Sequence, residues 1–173
     1  MNKNIFFALV LLCIITHIVR FVYELLKHKK LLEPNKTSFV IILINMILLW
    51  VSWVALCSLD IYRINIPGII KYSGILLVTA GVCMFFIALL TIKTLESYEG
   101  DLITTGIYSK IRHPMYLAFI FWLIGFPVFF GALFAFILSF IFIANVLFWR
   151  NLEEKELENR FPTYLEYKKR TWF

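Results

Sequence analysis

Two polar clusters interrupt an otherwise apolar chain. In GIYSKIRHPMYLAFI, residues 106–120, Lys110, Arg112, His113 and Pro114 stand directly against Met115, Tyr116 and Leu117, where an apolar helix should begin. In NVLFWRNLEEKELENRF, residues 145–161, Arg150 and Glu154 follow at once on Trp149. Four apart on a helix, these two share one face, and at that depth a charge needs a partner or a polar cavity. Such residues suit the binding of a polar molecule at a membrane boundary. Pro114 has a local role: it disfavours a helical conformation at His113 and starts the next helix at N1, displaying the preceding side chains at the helix mouth. The later charges Lys155, Glu156, Glu158, Lys168 and Lys169 read as a solvated helix end.

Composition dictates the elements that must position these clusters. Of 173 residues, 61% are hydrophobic and mean hydropathy is +0.84, beyond the range of soluble domains. The fold class expected is an all-α integral membrane protein. A helix needs about 20 apolar residues to cross the hydrocarbon, so the runs at 5–26, 38–59 and 68–92 predict three spans. The apolar region 115–149 is too long for one helix. Gly125, Pro127 and Gly131 in IGFPVFFGA, residues 124–132, predict its division into a tight helical hairpin. About five transmembrane helices result, the last two short, followed by a C-terminal helix. The first run continues to about Leu26 with no small-x-small site after it, as suits a retained anchor. No linker divides the chain, so residues 1–173 read as a single membrane domain, with 1–92 supplying three spans and 93–173 the polar segments.

Thirteen Lys and Arg residues fall in the segments after spans one, three and five, against Lys3, Arg63 and Lys71 on the other side. Cytoplasmic loops are enriched in such residues, which predicts the N-terminus outside and the C-terminus, with both polar clusters, in the cytoplasm. The net charge of +6 is then explained by basic loops facing anionic headgroups, with no need of nucleic acid. Cys13, Cys57 and Cys83 lie in apolar runs without CxxC spacing and read as buried small hydrophobes. With the three histidines at non-ligand spacings, no metal site is expected.

Residues 101–170 resemble the C-terminal signature of the isoprenylcysteine carboxyl methyltransferases and their relatives among the phospholipid methyltransferases. GIYSKIRHPMY is similar to the family pattern G-x-Y-x-x-x-R-H-P-x-Y. RNLEEKELENRFPTYLEYKKR is similar to the Arg, Glu pair, Leu, Phe and two tyrosines that follow a helical hairpin. The first three spans resemble the family in hydropathy alone. The resemblance implies S-adenosylmethionine-dependent methyl transfer at the membrane face onto a lipophilic acceptor. It implies a cofactor pocket lined by Gly100, Asp101, Leu102 and Ile103, by Tyr108, by His113, Pro114, Met115 and Tyr116, and by Glu154. Arg150 would be the catalytic and substrate-binding residue. A sulfonium favours aromatic faces such as Tyr108 and Tyr116, its α-amino group an anion such as Glu154, and its carboxylate and ribose donors such as His113. In-line displacement needs mainly alignment and charge compensation, and Arg150 can fork a carboxylate and aim one oxygen. The chain departs from the pattern at Ala118, where many relatives carry Gly, and at Phe161-Pro162-Thr163-Tyr164, which is one residue shorter than Phe-Gly-x-x-Tyr.

Other readings are a phospholipid amine N-methyltransferase, a sterol reductase using NADPH, and a non-catalytic membrane scaffold or transporter. Arg150 favours a carboxyl over an amine acceptor, a reductase would be longer, and a transporter would place polar residues midway along several spans. The partners expected are the bilayer and a lipophilic methyl acceptor, with no obligate protein partner evident. The short, Ile- and Lys-rich chain suggests a prokaryotic cell membrane. Outside the motif, His17, Arg20 and Glu24 form a polar stripe along the first span. It reads as Arg20 snorkelling with Glu24 as its i+4 partner, or as a lining for substrate access.

Overall fold

A computed structural model describes residues 3–33, 35–92 and 101–173. The elements are α1 (Lys3–His28), α2 (Lys36–Ser58), α3 (Gly68–Ile92), a 3-10 turn (Gly106–Ser109), α4 (Pro114–Phe130), α5 (Leu133–Arg160) and α6 (Tyr164–Arg170). No strand occurs among the described residues. Four of the helices, α1, α2, α3 and α5, are long and apolar enough to cross a membrane, and α4 is a shorter apolar helix of 17 residues. At about 1.5 Å per residue, α4 and the apolar part of α5 up to Trp149 each extend about 26 Å, slightly less than the hydrocarbon thickness. The remaining turns of α5 project beyond it and carry Arg150 and Glu154.

The hairpin forms where expected, but through Gly131 alone. Helix α4 continues past Gly125 and Pro127 to Phe130 and closes on Gly131 at φ +66°, the left-handed conformation that glycine adopts without penalty. Gly125 serves packing instead: a Cβ there would stand 2.8 Å from the Gly74 carbonyl oxygen, and one on Gly74 2.6 Å from the Phe129 backbone nitrogen. Small residues let α3 and α4 approach backbone to backbone, as membrane helices do.

Around the bundle, α3 lies along α4, α4 against α5, α5 against α1 and α1 against α2. The core holds Phe6, Trp53, Leu56, Leu123, Val146 and Trp149. Its periphery is more apolar still: Leu76 is 70% and Leu90 74% exposed, an inversion that only a lipid surround tolerates. Cys13 and Cys57 are buried, whereas Cys83 is exposed on this periphery, so the expectation of burial fails for it.

Polar caps hold the helix ends. Asn35 and Ser38 form a reciprocal capping box at the start of α2, each side chain accepting the other's backbone N–H at 2.9 Å. At the end opposite the polar clusters, buried Asp60 accepts from the backbone N–H of Tyr62 at 2.8 Å and of Ala135, in the first turn of α5, at 2.9 Å. A carboxylate at a helix N-terminus satisfies an orphan donor and complements the dipole, so Asp60 ties the α2–α3 connection to the hairpin.

Candidate active site

Pro114 occupies the first turn of α4 with His113 as its N-cap residue in a non-helical conformation, as its ring geometry requires. His113 is thereby turned inward and is 4% exposed. Its Nε2 lies 3.4 Å from Glu154 Oε1 and 3.4 Å from the Tyr164 hydroxyl, and its Nδ1 is 4.0 Å from Glu153 Oε2. Glu154 is the hub. Arg112 Nε donates to Oε1 at 3.2 Å and Lys168 Nζ to Oε2 at 2.8 Å. The His113 hydrogen bond, followed by that from Lys168, holds the Glu154 carboxyl well below the usual carboxylate range. Lys168 also reaches Glu158 at 3.0 Å, and its two carboxylate partners raise its own pKa.

Arg112 ties the C-terminal segment to this hub. One of its terminal nitrogens donates to the carbonyls of Lys168 at 3.1 Å and Thr171 at 2.6 Å, where the end of α6 leaves carbonyls without helical partners. Residues 171–173 then run beside residues 110–113, with Trp172 N donating to Lys110 O at 2.8 Å and Arg112 N to Trp172 O at 3.1 Å. Tyr167 completes the seal by donating its hydroxyl to the Tyr108 carbonyl at 2.6 Å. Burial pushes the Tyr108 and Tyr164 phenols up, and that of Tyr167 to about 12, so all three are neutral at physiological pH.

The structure brings His113, Pro114, Met115, Tyr116 and Glu154 to one end of the α4–α5 pair. The phenol of Tyr116 lies within electrostatic reach of Glu153, and its ring centre is 5.7 Å from that of His113. Tyr108 is buried beneath α6, and Leu102 lines a cleft of about 300 Å³ shared with Thr104, Ser109, Tyr167 and Arg170. Asp101 is exposed and Ile103 half-buried. Gly100 lies outside the described residues. Arg150 is expected to share a face with Glu154, yet the carboxylate is taken by other partners. Among the described residues Arg150 forms no ion pair. Its guanidinium lies 4.8 Å above the Phe173 ring, one terminal nitrogen donates to Asn151, and Nε is buried without a hydrogen-bond partner.

Sequence reasoning missed Lys168, read as a solvated helix end, and did not foresee Arg112 as the group that binds α4, α5 and α6 together. The available signal was Tyr164 and Tyr167, three apart and both buried, which give α6 an apolar face and fold it back. The stripe on α1 is inside the bundle: Arg20 pairs with Glu24 with side chains 14% and 12% exposed, so the pair is as expected but does not snorkel to the surface.

Helices that span a bilayer and end in a buried cluster of Arg, His, Glu and Tyr define a multi-pass membrane protein with a polar site at one face. The chain belongs to the phospholipid methyltransferase family, whose model matches residues 69–163, more than half of its length. That family includes the isoprenylcysteine carboxyl methyltransferases and comprises membrane methyltransferases that use S-adenosylmethionine. No curated protein and no solved structure matches the chain.

Proposed function

We propose that this protein binds S-adenosylmethionine at the Glu154 end of the bundle and methylates a lipid-borne carboxylate, such as that of an isoprenylcysteine, held by Arg150. The observation that carries the acceptor is the state of Arg150: a half-buried guanidinium with, among the described residues, a buried, unpartnered Nε and no carboxylate of its own. A planar fork of donors in that state fits an incoming carboxylate.

The residues present fit the cofactor. Glu154 Oε2 already binds an ammonium, that of Lys168, at 2.8 Å, and the α-amino group of the cofactor is the same chemical group. Lys168 is 37% exposed and can swing into water to yield its place, while Arg112 and His113 keep the carboxylate aimed. Tyr108 and Tyr116 supply aromatic faces, and Leu102 with its cleft gives room for the nucleoside. When bound, the cofactor supplies an electrophilic methyl group, which passes to an acceptor oxygen as the sulfonium becomes a neutral thioether. The chain's own part is to align that oxygen through Arg150 and to exclude water with α6 and residues 171–173. The Lys and Arg residues gathered on this face favour a cytoplasmic position for it, from which a soluble cofactor can enter.

One observation favours a phospholipid amine instead. Glu153, 44% exposed, lies beside His113 and Tyr116 and could attract a cationic headgroup. Calorimetric titration of the detergent-purified protein with S-adenosylhomocysteine, with NADPH as control, tests the common premise: saturable binding of the first and none of the second is expected. No binding by a folded sample, or binding of NADPH, would overturn it.

A further inference from the structure

Polar side chains also gather along the seam between α1 and α5, deeper in the bundle than the Glu154 hub. His17, 4% exposed, stacks its ring on Phe142 with centroids 3.5 Å apart, and Asn145 Nδ2 donates to the His17 carbonyl at 3.4 Å. Arg20, paired with Glu24, lays its guanidinium over the Trp149 ring, 5.7 Å from the centroid. Three polar atoms here are buried with no hydrogen-bond partner among the described residues: Arg20 Nε, Trp149 Nε1 and Asn145 Oδ1. Trp149 is 2% exposed, so no solvent reaches its N–H.

Unpaired polar atoms are penalised most at membrane depth, and ionisable groups retained there mark ligand paths. Glu24 takes one end of the Arg20 guanidinium and leaves the Nε edge open. Two of the three orphans are therefore N–H donors, one on a cation, and an oxyanion satisfies such a pair. The seam also leads somewhere. Glu153 lies one turn beyond Trp149 on α5, and the Tyr116 phenol is within electrostatic reach of Glu153, Glu24 and Arg20 together. On the lipid side, Phe21 and Phe148 stack with centroids 4.9 Å apart, and Phe21 is 36% exposed, an apolar margin against which an acyl or prenyl chain can lie.

We propose that the α1–α5 seam binds the oxyanionic end of the lipid-borne acceptor on its way from the bilayer to Arg150, with Arg20 Nε and Trp149 Nε1 as its donors. That the ligand is a methyl acceptor rests on the function proposed above; the binding of a lipid oxyanion does not. A carboxylate and a phospholipid phosphate share the recognised chemistry.

The test is equilibrium binding of radiolabelled hexadecanoate, hexadecyl phosphate and hexadecanol to the detergent-purified protein, beside calorimetry with S-adenosylhomocysteine. Saturable binding of both anions, but not of the alcohol, is expected. Trp149→Phe, which keeps a ring and removes the N–H, should weaken anion binding about tenfold, and the paired variant Arg20→Gln/Glu24→Gln about tenfold or more, with cofactor-analogue affinity unchanged. The double variant removes both charges together, so the fold does not have to bear an unpaired one. Preference for hexadecanoate would identify a free carboxylate and preference for hexadecyl phosphate a phospholipid; either upholds the oxyanion site. Binding of hexadecanol as tight as that of hexadecanoate, or parent-like anion affinity in both variants, would overturn it. Anion binding that depends on Arg20 and Trp149 in a protein that ignores S-adenosylhomocysteine would keep the seam and sink the methyltransferase reading.

Discussion

Replacing Lys168 by Met removes an ammonium from Glu154 without adding a charge of its own. If that ammonium occupies the place of the cofactor's α-amino group, the substitution should tighten binding of S-adenosylhomocysteine. The gain is bounded by what the displaced contact is worth. Lys168 bonds Glu154 at 2.8 Å and Glu158 at 3.0 Å with a side chain 37% exposed, and pairs so open to solvent contribute about 0.2–1 kcal/mol. That corresponds to about a 1.4- to 5-fold lower Kd. Glu154→Gln acts in the opposite direction. A hydrogen bond to a charged group is worth about 1.5–3 kcal/mol, so Kd should rise roughly 10- to 150-fold. The Gln variant also leaves Arg112 and His113 facing a neutral amide, and thermal unfolding in detergent must show that the sample is still folded at the temperature of the titration. Calorimetry of parent and both variants separates the possibilities. A weaker-binding Lys168→Met protein would mean that the lysine contacts the ligand, and parent-like affinity in Glu154→Gln would mean that Glu154 only ties helices together; either refutes the exchange of one ammonium for another.

Arg112→Met should lower thermal stability by about 3–5 kcal/mol, the usual loss when one partner of a buried pair is removed, and should expose residues 164–173 to protease; parent-like melting and proteolysis would contradict its place as the tie between α4, α5 and α6. Asp60→Ala should cost about 1–2 kcal/mol as a lost helix cap while leaving cofactor-analogue affinity unchanged by calorimetry. Gly125→Ala sets a methyl 2.8 Å from the Gly74 carbonyl oxygen and should destabilise by about 1–3 kcal/mol, read as a lower melting temperature. The pKa of Lys168 is raised in the folded protein, so the stability it lends is fully present below its unfolded value of about 10.4 and is lost only as pH rises through the folded value. Melting temperature in Lys168→Met relative to parent should therefore be constant from about pH 6 to 9, with the difference narrowing only at stronger alkali.

The spans were legible because a membrane imposes length and composition on every helix that crosses it, and Gly131 marked the hairpin because few residues adopt its conformation. Gly125 and Pro127 carry the same residue types yet sit inside α4, a distinction set by α3 packing against that face and invisible in α4 itself. At the site, the abrupt meeting of His113-Pro114 with an apolar run, and of Trp149 with Arg150, gave away where the polar groups collect. Their partners were not legible. Arg150 and Glu154 share a helix face, but Glu154 bonds residues 42 and 14 positions away in sequence, and nothing local encodes that choice. Asp60 went unnoticed because a lone acid between two spans looks like any loop residue until the α5 N-terminus arrives beside it.

The central claim is methyl transfer to a lipid carboxylate, and its most direct test follows the label. Purified protein in liposomes made from lipids of the expression host would be given S-adenosylmethionine tritiated in the methyl group, extracted with organic solvent, and the extract treated with alkali. Label is expected in the lipid fraction, released by alkali as volatile methanol, and is expected to be lost in Arg150→Lys although S-adenosylhomocysteine still binds. Alkali-stable label would transfer the activity to an amine and contradict the role given to Arg150; no lipid label from a protein that also ignores S-adenosylhomocysteine would contradict the account as a whole.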